Sequence, residues 1–252
     1  MTRQTLTPPA TPANSTDLAR ALPDPVRGPW TTLAFVIATV ALAVAASIPF
    51  MTLVTFSPDG RPTGNMGVLL ASVAATQLVF ALGALLLARG DRPIWRRLAL
   101  HVGPPWGLRD YAAAFGACLG ATTLYNGVRE FGLGHDVLAD LLQLAPFFRI
   151  PLWPLSLLII AVLAPIAEEL LFRGILLPAL VRTQLGFWGA AVVSTLAWTL
   201  LHFTYSIAGM MLVFLLGMIF SWLYARTGSL RVPIFAHMAN NAIAALMLQF
   251  TV

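Results

Sequence analysis

Lysine is absent from this chain, and charged residues of any kind are scarce. All 15 basic residues are arginine, 10 residues are acidic, and only 10% of the 252 residues are charged, against about 25% in ordinary soluble domains. With 58% hydrophobic residues and a mean hydropathy of +0.82, the composition indicates a polytopic membrane protein. The net charge of +5 does not indicate nucleic-acid binding, because the arginines stand singly between apolar runs and form no basic face.

Cysteine is nearly absent too. The single Cys118 excludes an intramolecular disulfide, and we expect it to be a small packing residue in an apolar helix. Residues 1–28, rich in Pro, Thr and Ala, are too polar to bury and are predicted to be a disordered cytoplasmic tail. No cleavable signal is evident, because the first apolar run starts late and is longer than a signal peptide needs. Residues 29–252 are predicted to form one membrane-embedded helical domain, with a motif-bearing core at about 152–250.

Long apolar runs predict an all-α transmembrane helix bundle of about seven spans, each near the roughly 20 residues that a bilayer requires. The predicted spans are 30–56, 66–88, 110–128, 152–180, 187–204, 208–225 and 231–250. Residues 131–150 are predicted to be an amphipathic or re-entrant piece, which would make an eighth helix if it crosses the membrane.

The distribution of arginine predicts the orientation, because cytoplasmic joints are enriched in basic residues. One side of the predicted bundle carries the arginines of the tail, of the joint after the second span and of two later joints: Arg3, Arg20, Arg27, Arg89, Arg92, Arg96, Arg97, Arg109, Arg182, Arg226 and Arg231. That side is predicted to be the cytoplasm, which puts the N-terminus inside and the C-terminus outside. We expect an integral protein of a bacterial cytoplasmic membrane.

Two adjacent glutamates, Glu168 and Glu169, are the only acidic residues after Asp140, and they lie inside an apolar run. A carboxylate in such a run is costly unless it has a partner or a wet cavity, so it marks a candidate functional site. Arg173 is four residues after Glu169, so the two can form an ion pair on one helix face. Glu168 points about 100 degrees away and is left free for chemistry. The alternative is a buried Glu–Arg pair that only fixes packing.

Two further patterns carry the remaining ionisable or amide side chains of the later spans. His202 follows Trp198 by four residues, and Asn241 follows His237 by four, so each pair shares a helix face. A histidine and an amide on one apolar face can donate hydrogen bonds into a shared cavity. Taken alone, His202 could be an interfacial group, and His237 with Asn241 could be contacts between helices.

Taken in order, the three patterns resemble the signature of the type II CAAX prenyl endopeptidases, also called the CPBP or Abi family of intramembrane proteases. That signature is EExxxR, then an aromatic residue four before a histidine, then HxxxN. Glu168, Glu169 and Arg173 match the first element, and His237 with Asn241 matches the third. The second departs slightly, because the family usually has Phe where this chain has Trp198. The resemblance covers about 165–241.

The resemblance implies an intramembrane endopeptidase that hydrolyses membrane-associated or lipidated, CAAX-like protein substrates. Glu168 would be the general base, and a desolvated carboxylate is the stronger base. His202 would orient the water, and His237 and Asn241 would donate to the oxyanion. Glu169 and Arg173 would brace the helix that presents the base.

Two alternatives stay open at this point. Glu168, His202 and His237 would also be a plausible zinc set, although the local HExxH pair is absent, and we favour chemistry without a cofactor. A non-enzymatic role is the second alternative, as a bacteriocin-immunity or interaction protein. The expected partners are membrane lipid and a peptide or lipidated protein substrate, without nucleic acid. The sequence does not indicate an oligomeric state.

Overall fold

The structure, a computed structural model, describes residues 14–55, 64–100, 107–132 and 138–251. All regular structure in these ranges is helical, as predicted. The helices are α1 Ser15–Ala21, α2 Pro29–Met51, α3 Met66–Leu87, α4 Ile94–Arg97, α5 Leu108–Gly127, α6 Ala139–Leu142, α7 Ala145–Phe148, α8 Trp153–Leu180, α9 Gly186–Thr199, α10 Ile207–Thr227 and α11 Arg231–Thr251. A π-helical turn, Val128–Gly132, continues α5, and a 3₁₀ turn, Leu200–His202, continues α9.

Among the described residues, four helices are long and apolar enough to cross a membrane: α2, α3, α8 and α10. The predicted count of seven or eight spans is therefore not confirmed. With 14 residues, α9 reaches only about 21 Å. Polar side chains dilute α5 and α11, including Asn126 in the first and Gln249 in the second. Within the predicted amphipathic or re-entrant piece 131–150, the described part contains the end of the π-helical turn and the short helices α6 and α7, and no long helix.

The N-terminal region differs from the prediction of a disordered tail, because residues 15–21 form α1. Asn14 caps this helix by accepting hydrogen bonds from the backbone of Thr16 and Asp17, both at 3.0 Å. Leu18 and Leu22, four residues apart, are buried in the main core. The high Pro and Thr content of the first 28 residues led to the prediction of disorder and did not indicate this short helix. Residues 1–13 of the predicted tail lie outside the described residues.

Proline shapes the motif-bearing helix α8. Two π-helical stretches, Ile159–Leu163 and Glu169–Leu176, interrupt it, and each lies just before a proline. Pro165 and Pro178 cannot donate to the helical ladder, and their rings clash with the carbonyl one turn earlier. Widened turns relieve that clash and are frequent at functional sites. The EELLFR motif therefore lies largely in a widened turn.

The core is built around α8, whose residues from 167 to 180 are all buried. Helices α3, α9, α10 and α11 pack against it, and α2 pairs with α3 on one side. Cys118 on α5 is free and buried, which confirms the packing role predicted for it.

Several arginine-bearing joints meet at one end of this bundle. Arg182 donates to the carbonyl of Leu22 at 2.9 Å and pairs with Asp24 at 3.1 Å. The backbone N–H of Leu230 donates to the carbonyl of Ala99, so the joint after α3 contacts the joint before α11. These contacts join Arg182 to the segment after α1, and the joint after α3 to the joint before α11; the grouping of all the arginines on one side stays a prediction. That this side is the cytoplasm remains a prediction.

Candidate active site

Glu168 lies at the last α-helical position before the second widened turn of α8 and is 8% exposed. Its two carboxylate oxygens accept from different helices. Oε1 accepts from Nε2 of Gln77 on α3 at 3.2 Å, and Oε2 accepts from the indole Nε1 of Trp198 on α9 at 2.7 Å. Two N–H donors thus hold the carboxylate from two sides, while each oxygen keeps a lone pair for a further partner.

Glu169 is completely buried, and its partner is the predicted one. Its Oε1 accepts from Nη1 of Arg173 at 2.9 Å, across one turn of α8. The same oxygen lies 3.0 Å from Nδ1 of His237. The predicted Glu169–Arg173 pair is present, and it extends to a third residue that the sequence spacing did not connect to it.

Arg173 is also fully buried and is held by more than its charge partner. Its Nη2 donates to the carbonyl of Gly217 on α10 at 3.2 Å, and its guanidinium carbon lies 4.4 Å from the centroid of the Trp198 ring. A Cβ on Gly217 would come within 2.7 Å of Nη2, so a glycine is required for this close approach. The guanidinium thus links α8, α9 and α10.

His237 on α11 bridges the two glutamates. A carboxylate can only accept, so the contact with Glu169 puts a hydrogen on Nδ1 and turns Nε2 toward Glu168. Nε2 lies 4.0 Å from Oε2 of Glu168. The ring is 4% exposed and stacks on Phe220, with centroids 4.8 Å apart and planes at 23°. Its position is therefore fixed by a carboxylate on one side and by an aromatic ring on its face.

His202 lies at the end of α9 and is only partly buried. Its Nδ1 is 3.3 Å from the carbonyl oxygen of Trp198. Its ring packs in T-shaped geometry against the rings of Trp198 and Tyr205, with centroids 5.2 and 5.4 Å apart. Because a carbonyl accepts, Nδ1 carries the hydrogen, and Nε2 is left as an acceptor. Burial raises the pKa of Tyr205 to about 12, with smaller contributions from Glu168 and Asp140, so its phenol stays protonated near neutral pH.

Asn241 contacts the backbone of α8, and its hydrogen bond does not involve Glu168. Its Nδ2 donates to the carbonyl of Ile160 at 3.2 Å, inside the first widened turn of α8. The neighbouring Asn240 accepts from Thr122 on α5 at 3.3 Å. The amide keeps a second N–H, so its predicted role as an oxyanion donor remains a prediction.

The residues proposed as a zinc set are not gathered into one cluster in the structure. In the described ranges, no three His, Cys, Asp or Glu side chains are grouped so that they could hold a metal ion. The donor atoms themselves are not used up, because each oxygen of Glu168 keeps a lone pair and His237 contacts Glu169 through Nδ1 and not Nε2. A reaction without a cofactor therefore stays a prediction.

Sequence reasoning missed Gln77. It is a buried primary amide on an otherwise apolar helix, 91 residues from its partner Glu168. The only signal in the sequence was an amide within an apolar run, because burying an amide is unfavourable unless it has a hydrogen-bond partner. The identity of that partner was not readable from spacing.

Comparison with known proteins finds a match over the segment that carries these motifs. Residues 150–243 match the family model described as "Type II CAAX prenyl endopeptidase Rce1-like". This segment of the chain is therefore similar to a type II CAAX prenyl endopeptidase domain. The resemblance read from the three motifs is thereby confirmed, and the match runs from the start of α8 into α11, so that it includes all three motifs.

Two relatives of this Rce1-like segment come from Bacillus subtilis (strain 168). One, named "Putative membrane peptidase YdiL", is 30% identical over 122 residues, which cover 46% of this chain and 46% of the relative. The other, named "Uncharacterized protein YpbD", is 32% identical over 100 residues, which cover 37% of this chain and 46% of the relative. The chain thus spans about half the length of the curated relatives it matches. No solved structure matches the chain at a significant level.

Proposed function

We propose that this protein is an intramembrane endopeptidase in which Glu168 activates water to cleave a peptide bond. The observation that carries the proposal is the geometry of Glu168. Its carboxylate is nearly buried, is held by Gln77 and Trp198, and faces Nε2 of His237 across 4.0 Å. Two hydrogen bonds of about 2.8 Å can meet at one water across such a gap. A base, a water position and a polar ring therefore share one small space inside apolar helices.

The first step is attack by water on the scissile carbonyl carbon. Glu168 takes one proton from the water as the new C–O bond forms, and the carbonyl oxygen becomes an oxyanion. When the C–N bond breaks, the proton on Glu168 passes to the leaving amine, which restores the carboxylate. His202, whose Nε2 is an acceptor, orients the water or shares its proton.

Stabilisation of the oxyanion is assigned to His237 and Asn241. His237 can donate from Nε2 only when both of its ring nitrogens carry hydrogens, which makes the ring cationic. Glu169, 3.0 Å from Nδ1, supplies the compensating negative charge. Glu169 therefore does more than brace α8, because it also sets the orientation and charge of the oxyanion donor. The remaining N–H of Asn241 completes this pair of donors.

The substrate class follows from where the site lies. Glu168 sits within α8, one of the helices long and apolar enough to cross a membrane. A peptide must reach it from the lipid or from the membrane surface, which favours membrane-anchored or lipidated substrates, including prenylated CAAX-like proteins. We place the protein in the bacterial cytoplasmic membrane with its N-terminus and arginine-rich end in the cytoplasm.

The test is Glu168→Gln, which keeps the shape of the side chain and removes the base. Loss of general-base catalysis lowers turnover by about 100- to 10,000-fold. Purified wild-type and variant proteins are compared on a membrane-embedded reporter peptide. Glu130→Gln is the matched control, because Glu130 is exposed in the π-helical turn after α5 and should leave turnover unchanged.

Near wild-type turnover by Glu168→Gln would end the general-base assignment and would favour the non-enzymatic immunity or interaction role. Metal analysis of active protein, together with chelator treatment, tests the cofactor-free chemistry. Stoichiometric zinc and loss of activity on chelation would replace it by a zinc-dependent reaction. A comparison of membrane-peptide profiles between cells with wild-type protein and Glu168→Ala identifies the physiological substrate.

A further inference from the structure

Gln77, in the N-terminal half of the chain, contacts the proposed base. It lies on α3 and is 7% exposed, and its Nε2 donates to Oε1 of Glu168 at 3.2 Å. Helix α3 ends at Leu87, far before residue 150 where the family match begins. Neither the three motifs nor the family match assigns a role to this position.

The orientation of the Gln77 amide follows from chemistry. A carboxylate only accepts, so Nε2 must face Glu168. The other end of the amide, Oε1, is buried without a hydrogen-bond partner. An unpaired buried carbonyl oxygen is unfavourable, and an apolar residue at position 77 would avoid it. The contact with Glu168 is the favourable interaction that compensates for this burial.

The two donors to Glu168 act on different oxygens. Trp198 holds Oε2 from α9, and Gln77 holds Oε1 from α3. The last torsion of a glutamate is broad and has no sharp minimum of its own, so one donor alone leaves the carboxylate free to turn. With both donors, the plane of the carboxylate is fixed and Oε2 is kept toward His237.

We propose that Gln77 is a positioning residue for the hydrolytic reaction, acting by holding the carboxylate of Glu168 in its productive orientation. This inference rests on the proposed function of Glu168. It extends the active site beyond the matched segment to α3, which therefore takes part in the reaction and is not only a membrane anchor.

The experiment replaces Gln77 by Met, which has a similar length and no donor, and by Asn, which keeps the amide but cannot reach Glu168. Both variants should lower kcat by about 10- to 100-fold, because small misplacements of a reacting group have effects of that size. KM should stay within about threefold, because substrate binding is not altered. Unchanged kcat in both variants, measured in folded protein, would overturn the proposal.

Thr76→Val is the matched control on the same helix. The hydroxyl of Thr76 donates to the carbonyl of Ser72 within α3, so its loss removes a polar group without touching Glu168. We expect wild-type kcat and KM. If Thr76→Val lowers kcat as much as Gln77→Met, the effect belongs to the packing of α3 and the proposal fails.

A double substitution separates positioning from a general structural effect. Glu168→Asp shortens the side chain and already breaks the contact with Gln77, so adding Gln77→Met should lower the remaining activity by less than about twofold. If Gln77→Met lowers kcat as much in the Glu168→Asp background as it does in the wild-type background, Gln77 acts independently of Glu168. Full activity of Glu168→Gln would instead overturn the proposed function, so the two failures are distinguishable.

Discussion

Helices α2 and α8 are almost equally apolar and occupy opposite environments. Their most apolar windows have mean hydropathies of 2.4 and 2.2, yet 11% of the window in α2 is buried inside the protein and 56% of that in α8. Many large side chains of α2 face outward, including Ile37 at 59% and Leu42 at 61% exposure. In α8, the EELLFR motif is surrounded by protein on all sides.

The difference between these two helices shows that hydropathy alone does not determine whether a helix is buried inside the protein. Hydropathy measures whether a helix tolerates a membrane, and it does not distinguish contact with lipid from contact with other helices. The charged residues make that distinction, because buried charges need protein partners. In α8, Glu169 and Arg173 find those partners on α10 and α11. Two pairs of substitutions test this difference directly, and a third compares tight and loose packing on other helices.

Arg173→Met should have the largest effect on stability. It leaves Glu169 buried without its cation, and breaking a buried pair in this way costs about 3–5 kcal/mol. Arg27, just before α2, makes one hydrogen bond from Nη1 to the carbonyl of Leu87 and is only partly buried. Arg27→Met should therefore cost about 1 kcal/mol. Unfolding in detergent micelles measures both, and equal losses would contradict the assigned difference between the helices.

Replacing a leucine by alanine in each helix tests the same difference between α8 and α2 without changing a charge. Leu171 on α8 is 0% exposed, and Leu171→Ala should lower the free energy of unfolding by about 2–5 kcal/mol because it leaves a cavity. Leu42 on α2 is 61% exposed, and Leu42→Ala should change stability by less than about 0.5 kcal/mol. Thermal unfolding in the same detergent gives the comparison. A large loss for Leu42→Ala would mean that another protein surface covers α2.

Gly217→Ala should cause the smallest of the three losses in the free energy of unfolding. It tests whether packing is tight around Gly217. The new Cβ would lie 2.7 Å from Nη2 of Arg173 and 3.0 Å from Cε3 of Trp198, so the helices must separate. Overpacking of this kind costs about 1–3 kcal/mol. Gly120 on α5 has open space at its Cβ position, and Gly120→Ala should be neutral or stabilising by up to about 1 kcal/mol. The same unfolding assay checks the pair, and comparable losses would contradict the tight fit at Gly217.

Much of the candidate site was readable from the sequence because helical spacing fixes which residues share a face. The pair Glu169 and Arg173 followed from a separation of four residues and is present. The bridge from Glu169 to His237 was not readable, because it joins helices 68 residues apart and depends on how α8 and α11 cross. Gln77 was hidden for the same reason.

The all-helical fold was readable from the apolar runs, and its details were not. Helix α1 was missed because proline and threonine dominate its surroundings, although the Asn14 cap and the spacing of Leu18 and Leu22 were present in the sequence. The widened turns of α8 depend on Pro165 and Pro178, which hydropathy alone does not weigh. The span count depends on α9, which is short, and on α5 and α11, which are long enough but carry polar side chains.

Trp198 combines two interactions that a plain benzene ring could not supply together. Its face lies 4.4 Å from the buried guanidinium carbon, while its indole N–H holds Oε2 of Glu168 at 2.7 Å. A phenylalanine at this position would keep the cation on its face and release the carboxylate oxygen. The orientation of the Glu168 carboxylate in this chain is therefore tied to the choice of an indole at position 198.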